Sequence, residues 1–136
     1  MTDKARPAIS DAERDVLKIL WDRGPGTVRT IQRFLVAQGQ SWARSTVITL
    51  LQRLEKKGYA KSDKRRFAFV FRAAVSLEEV LHEQIVRLAE ELSKGDPAPL
   101  VLAFARRHRF SAEEIQQFRQ MIEQMEAKRS RKKSDK

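Results

Sequence analysis

The 136-residue chain contains no cysteine. That excludes disulfides, thiolate metal sites and cysteine nucleophiles, and it fits a reducing compartment. Long apolar runs are missing too. Nothing approaches the roughly 18 consecutive apolar residues of a membrane-spanning helix, so no membrane insertion is expected. The opening MTDKARPAIS has no apolar run after its charges and does not read as a secretion signal. There is no glycine-rich phosphate loop, no HExxH and no GxSxG. His82 and His108 stand alone in their segments, away from any metal-ligand spacing, and read as surface histidines. The glutamate pairs at 78/79, 90/91 and 113/114 sit on helix faces or first turns, where helix-dipole and salt-bridge roles suffice. The expectation is a cytoplasmic protein that is not an enzyme and uses neither metal nor cofactor.

Positive charge is abundant and unevenly placed. The formal net charge is +10. Residues 1–75 hold 16 Lys/Arg against 7 Asp/Glu, residues 76–126 hold 6 against 10, and residues 127–136 hold 6 against 1. A basic N-terminal half is what a polyanion-binding surface requires.

Ser10 and Glu13 form a capping box, and Ala12, Val16, Ile19 and Leu20 then share a helical face, predicting a helix over 11–23 that stops at Gly24-Pro25-Gly26. Thr27-Val28 suits a short strand or an extended linker. Ile31, Phe34 and Leu35 predict a second helix over 29–38. After a short turn with Ser41 as N-cap, Val47, Leu50, Leu51 and Leu54 mark the buried stripe of a third helix, 43–57, with Gly58 as its stop. Tyr59–Lys64 and Phe67–Arg72 read as strands of a hairpin with Lys64-Arg65-Arg66 at its tip, and Phe67, Phe69 and Phe71 on one face. Trp21 is expected in the core. Trp42 either stacks on a sugar–phosphate surface or, the better reading, wedges the turn against the core.

Ser76 and Glu79 open a further helix, striped by Leu77, Val80, Leu81, Ile85, Leu88 and Leu92 up to Gly95. Asp96-Pro97 starts a shorter helix to about Arg107, with Arg106, Arg107 and Arg109 near its C-terminus. Ser111 and Glu114 cap a last helix, with Phe110 and Ile115 at staple positions and a seam of Ile115, Phe118, Ile122 and Met125. The tail AKRSRKKSDK reads as disordered.

Helix, short strand, helix, turn, helix and basic hairpin is the order of a winged helix-turn-helix. The fold class expected is mostly α with a small β-hairpin wing: an arm (1–8), a winged helix-turn-helix DNA-binding domain (9–74), a helical dimerisation domain (75–126) and a basic tail (127–136). In such a fold the second helix of the pair enters the major groove. Ser45, Thr49, Gln52 and Lys56 lie opposite the apolar stripe, with Ile48 beside them. Hydroxyls serve base edges, and an aliphatic group can meet a thymine methyl. Ser45, Ile48, Thr49 and Gln52 are therefore the base-contact candidates. Arg44, Thr46, Arg53, Lys56, Lys57, Lys64, Arg65 and Arg66 are the phosphate-contact candidates. For the hairpin tip, a solvated turn is an equal reading.

The stretches ISDAERDVLKILWDRGPGTVRTI, WARSTVITLLQRLEKKGYAK, FAFVFRA and GDPAPLVLAFARRHRFSAEEIQQFRQMI together resemble the penicillinase-repressor family, the BlaI/MecI type, from about Ile9 to Met125. Related copper-responsive repressors carry a C-terminal cysteine cluster that this chain lacks. The resemblance implies a homodimeric transcriptional repressor on a palindromic double-stranded operator, with Ser45, Thr46, Ile48 and Thr49 at the DNA. It implies dimerisation by the C-terminal helices, with Leu100, Phe104, Ile115, Phe118, Ile122 and Met125 as interface candidates. In the best-known members a membrane-bound sensor protease pathway, tied to antibiotic-resistance regulation, leads to cleavage in the segment matching LVLAFA. The matching bond here is Ala103–Phe104, and those members have asparagine at the place of Ala103. Two other readings stay open: a non-specific, nucleoid-type DNA binder, and a winged-helix module whose basic face meets an acidic protein.

Overall fold

The computed structural model describes residues 6–65 and 67–134. Its elements are α1 (Asp11–Arg23), β1 (Gly26–Thr27), α2 (Val28–Ala37), α3 (Arg44–Lys56), β2 (Ala60–Asp63), β3 (Val70–Ala73), α4 (Leu77–Leu92), α5 (Ala98–Arg107) and α6 (Ala112–Ser134). The strands form an antiparallel sheet in the order β1-β3-β2. Phe71 of β3 is paired with Gly26 on one side and Ser62 on the other. This is a winged helix-turn-helix followed by further helices.

The core is the meeting of the predicted stripes. Val16, Leu17, Ile19 and Leu20 of α1 pack with Ile31 and Leu35 of α2 and with Val47, Leu50, Leu51 and Leu54 of α3. Tyr59 just before β2, Phe71 of β3, Val75 in the loop that follows and Val80 of α4 close it. Trp21 lies at its edge and donates from Nε1 to the Val75 carbonyl at 2.8 Å. Trp42 packs against the same core, as the turn wedge. Gly58 ends α3 with φ 91, a left-handed conformation that a side chain would strain.

A buried acid links the two ends of this bundle. Glu13 accepts from the Ser10 N–H at 2.7 Å while its own N–H donates to Ser10 Oγ at 3.1 Å, completing the capping box of α1. The carboxylate is 1% exposed. Lys57, just past α3, donates to it at 2.7 Å and to the Ala8 carbonyl at 2.9 Å. Burial pushes the Glu13 carboxyl up, but the Lys57 hydrogen bond and charge, with the Ser10 donors, outweigh burial and hold it below its ordinary range. A second acid, Glu55 of α3, accepts from both the N–H (3.1 Å) and the hydroxyl (2.7 Å) of Ser62 in β2.

Several boundaries differ from the sequence expectation. Phe67–Phe69 is not strand; β3 starts at Val70, so only Phe71 enters the core. The N-cap of α3 is Ala43 rather than Ser41, and that of α5 is Pro97 rather than Asp96. The tail expected to be disordered continues α6 to Ser134, built from good helix formers with acids in the first turn and bases in the last, as the helix dipole favours. The chain divides into two compact units, Met1–Asp96 and Pro97–Lys136, and α4 falls in the first. Contacts explain this. Val80 is in the core, Arg6 pairs with Glu83, and Arg87 donates to the Arg6 carbonyl.

Lys57→Met keeps the side-chain stem and removes the ammonium. It should cost about 2–4 kcal/mol in urea unfolding at pH 7, since a buried carboxylate loses its counter-charge. Because the folded Glu13 pKa is depressed, the pair's stabilisation is fully present above the ordinary value of about 4.5 and is lost as pH falls through the lower folded value. The gap between wild type and variant should therefore narrow at pH 3. An equal gap at both pH values would reduce Lys57 to a packing role.

Candidate nucleic-acid interface

Helix α3 turns its apolar stripe wholly inward. Val47, Leu51 and Leu54 are 0% exposed and Leu50 5%. What remains outside is Arg44, Ser45, Thr46, Thr49, Gln52, Arg53 and Lys56, all exposed, with Ile48 half-buried beside them. Glu55, the single acid of α3, is turned to β2, so the open face carries no negative charge. Thr49 Oγ1 donates its proton to the Ser45 carbonyl at 3.0 Å. The hydroxyl proton is thereby committed, and Oγ1 faces outward as an acceptor.

The start of α3 is left electrostatically open. Ala43 offers no side-chain cap, and the first turn contains no acid. Free first-turn N–H groups and the positive end of the dipole form a ready seat for an anion. Arg44 lies at the same place.

Between α3 and the hairpin lies a concavity of about 550 Å³. Arg29 of α2, Arg44, Ile48 and Gln52 of α3, and Phe67 and Phe69 of the wing line it. On the other flank, Ser45, Thr46, Thr49 and Arg53 border a shallower depression. The structure thus brings Arg44, Ser45, Thr46, Ile48, Thr49, Gln52 and Arg53 to one surface.

Three phosphate candidates fall differently. Lys57 has its ammonium engaged by Glu13 and the Ala8 carbonyl instead of standing free for a phosphate. Arg65 is bound by Asp63 through Nε (3.1 Å) and Nη2 (3.2 Å), and those bonds and that charge push its pKa further up. It stays fully charged but carries its own counter-ion. Arg66 lies outside the described residues. Lys64 is exposed, with Nζ 5.9 Å from the centre of the Phe69 ring. Sequence reasoning missed Arg29. Its signal was Thr27, which caps α2 by accepting from the Thr30 N–H at 3.2 Å and so puts Arg29 in the first turn.

In the second unit, Phe104, Ile115, Phe118, Ile122 and Met125 are exposed, between 38% and 60%, and Leu100 is half-buried. Phe110 packs edge-on to Phe118 at 4.8 Å and beside His108 at 4.6 Å, while Phe104 stacks on His108 at 4.9 Å. Ala103 and Phe104 lie within α5, exposed.

The profile of the penicillinase repressor family matches residues 9–124. The penicillinase repressor of Bacillus licheniformis is 28% identical over 121 residues, 89% of this chain and 94% of that protein. The methicillin resistance regulatory protein MecI of Staphylococcus aureus is 27% identical over 114 residues, 84% of this chain and 92% of that protein. Among solved structures, that of the Bacillus licheniformis BlaI monomeric form in complex with the blaP half-operator is 29% identical, covering 57% of this chain and 93% of that one, with a TM-score of 0.47.

Ala43→Asp should cap α3 and raise stability by about 0.5–2 kcal/mol in urea unfolding. The same carboxylate would occupy the anion seat, so binding to a duplex or to heparin should weaken. Unchanged affinity in the stabilised variant would show that the α3 N-terminus does not meet the polyanion.

Proposed function

The chain belongs to the penicillinase repressor family, and from that membership and the face of α3 we propose that it is a homodimeric transcriptional repressor reading a palindromic double-stranded operator. The carrying observation is the undivided polar face of α3, free of acid and ending in an uncapped N-terminus beside Arg44. In this reading α3 lies in the major groove. Ser45, Ile48, Thr49 and Gln52 meet base edges. Thr49, an acceptor, favours the amino groups of adenine or cytosine, and Ile48 favours a thymine methyl. Arg29, Arg44, Thr46, Arg53, Lys56 and the wing's Lys64 hold phosphates, fixing register and adding salt-dependent affinity.

The dimer rests on apolar faces that the single chain leaves open. In the second unit these are Phe104, Ile115, Phe118, Ile122 and Met125; in the first, Leu81, Ile85, Leu88 and Leu92 of α4, between 40% and 70% exposed. Heptad-like spacing along α4 and α6 suits helix-to-helix pairing, and a two-fold dimer matches a palindrome. Release by cleavage at Ala103–Phe104 belongs to the same reading. A protease needs that bond extended, so α5 must open first. None of its residues is fully buried, which keeps that opening inexpensive. The site of action is the cytoplasm, and antibiotic-resistance genes are the target class suggested by the relatives' names.

Selection from random duplexes, followed by titration of the winner and a scramble at two salt concentrations, tests the whole reading. A palindrome bound roughly 10³-fold or more above the scramble is expected. Equal binding to both, collapsing together with salt, would leave a non-specific electrostatic binder; no binding to either would favour a protein-interaction module. Thr49→Ala should cost about 1–3 kcal/mol on the winner and less on the scramble; equal losses would remove Thr49 from base reading. Phe118→Asp should give monomers in sedimentation, and an intact dimer would remove α6 from the interface.

A further inference from the structure

The three alternate phenylalanines of the wing are exposed in a steep series: Phe71 5%, Phe69 47% and Phe67 108%. Phe71 holds β3 to the core, and Phe69 sits part-way out beneath Lys64. Phe67 is left with its whole ring in water, which no requirement of the fold explains. On the β2 side of the hairpin, Asp63 accepts from the Arg65 N–H at 3.0 Å as well as from its guanidinium. Phe67 also lines the concavity walled by Arg29 and Arg44. An apolar ring standing in water, beside a cleft walled by Arg29 and Arg44, suits a polyanion with apolar stacking surfaces inside it. A hydrophobic protein groove would gain little from those cations.

We propose that Phe67 is a minor-groove wedge: with α3 in the major groove, the intervening phosphodiester strand occupies the concavity, and the ring of Phe67 enters the adjacent minor groove and partly unstacks a base step. This rests on the DNA-binding reading above and adds to it a residue that senses deformability instead of base edges. Pyrimidine–purine steps, which open at least cost, are favoured under the wing.

The test uses the full-length chain and duplexes carrying 2-aminopurine at successive steps outside the segment covered by α3. Wild type should raise the fluorescence at one such step, and Phe67→Ala should abolish the rise and weaken binding roughly 5- to 100-fold. Phe67→Trp should restore affinity and have its own emission quenched on the duplex. Wild-type affinity in Phe67→Ala, with no fluorescent step in either protein, would overturn the proposal. A Phe67→Ala variant that binds DNA normally but self-associates less would also overturn it, making the ring a protein contact. Failure of the operator reading is a separate result, visible as equal wild-type affinity for selected and scrambled duplexes. The fluorescence comparison is valid on either duplex.

Discussion

The presentation of α3 depends on one buried ion pair. Glu13 closes the cap of α1 and receives Lys57 from the end of α3, so the start of one helix and the finish of the other are held at a single point. Taking a carboxylate out of water is costly, and the attraction to Lys57 does little more than offset that cost. What the pair adds is register. Any axial slide of α3 would leave Glu13 buried without its cation. The apolar stripe sets the helix's rotation, the ion pair sets its position along the axis, and together they determine which side chains face outward. The same ammonium binds the Ala8 carbonyl, and Tyr59 donates to the Pro7 carbonyl at 2.7 Å, so the N-terminal arm is tied into the same arrangement.

What could be read from the sequence was whatever short-range periodicity encodes. The stripes of α1, α2 and α3, the capping boxes at Ser10, Ser76 and Ser111, and the stop at Gly58 all depend on neighbours within a few residues. Lys57 was misread because its partner is 44 positions away; a lysine at a helix end looks the same whether it awaits a phosphate or a carboxylate. The Phe67, Phe69, Phe71 alternation fits a strand, yet pairing partners for β3 exist only from Val70 onward. An alternating pattern records which side chains share a side and says nothing of where the partner strand ends. The stripe of α4 posed a similar difficulty. Leu81, Ile85, Leu88 and Leu92 have the spacing of a buried face, but in the single chain only Val80 and Ala89 of that helix are buried. The opposite surprise is α6, which continues through a segment whose composition alone suggested disorder.

The polar face of α3 and the open apolar faces of α4, α5 and α6 lie on different elements. The polar face of α3 and its arginine-walled cleft belong to the first unit, and the second unit carries open apolar side chains on both its helices. Each surface would be costly without an occupant, the one through charge repulsion and the other through wetted apolar area. Acid is kept from the reading face by internal use: Glu13, Glu55 and Asp63 each receive a donor from their own chain.

The contact of Glu55 with Ser62 has a consequence for how this molecule meets others. β2 lies at one edge of the sheet, and an edge with free N–H groups invites another strand. Here the Ser62 N–H is taken by a side chain from α3, Lys61 projects into solvent, and the other edge, β1, is only two residues long. The sheet thus offers another strand one blocked N–H on β2 and only a two-residue edge on β1. Copies crowded at a high local concentration find little strand edge to pair with, which leaves their helical faces as the larger meeting surface, and the small sheet remains what the fold uses it for, a stem that carries the wing.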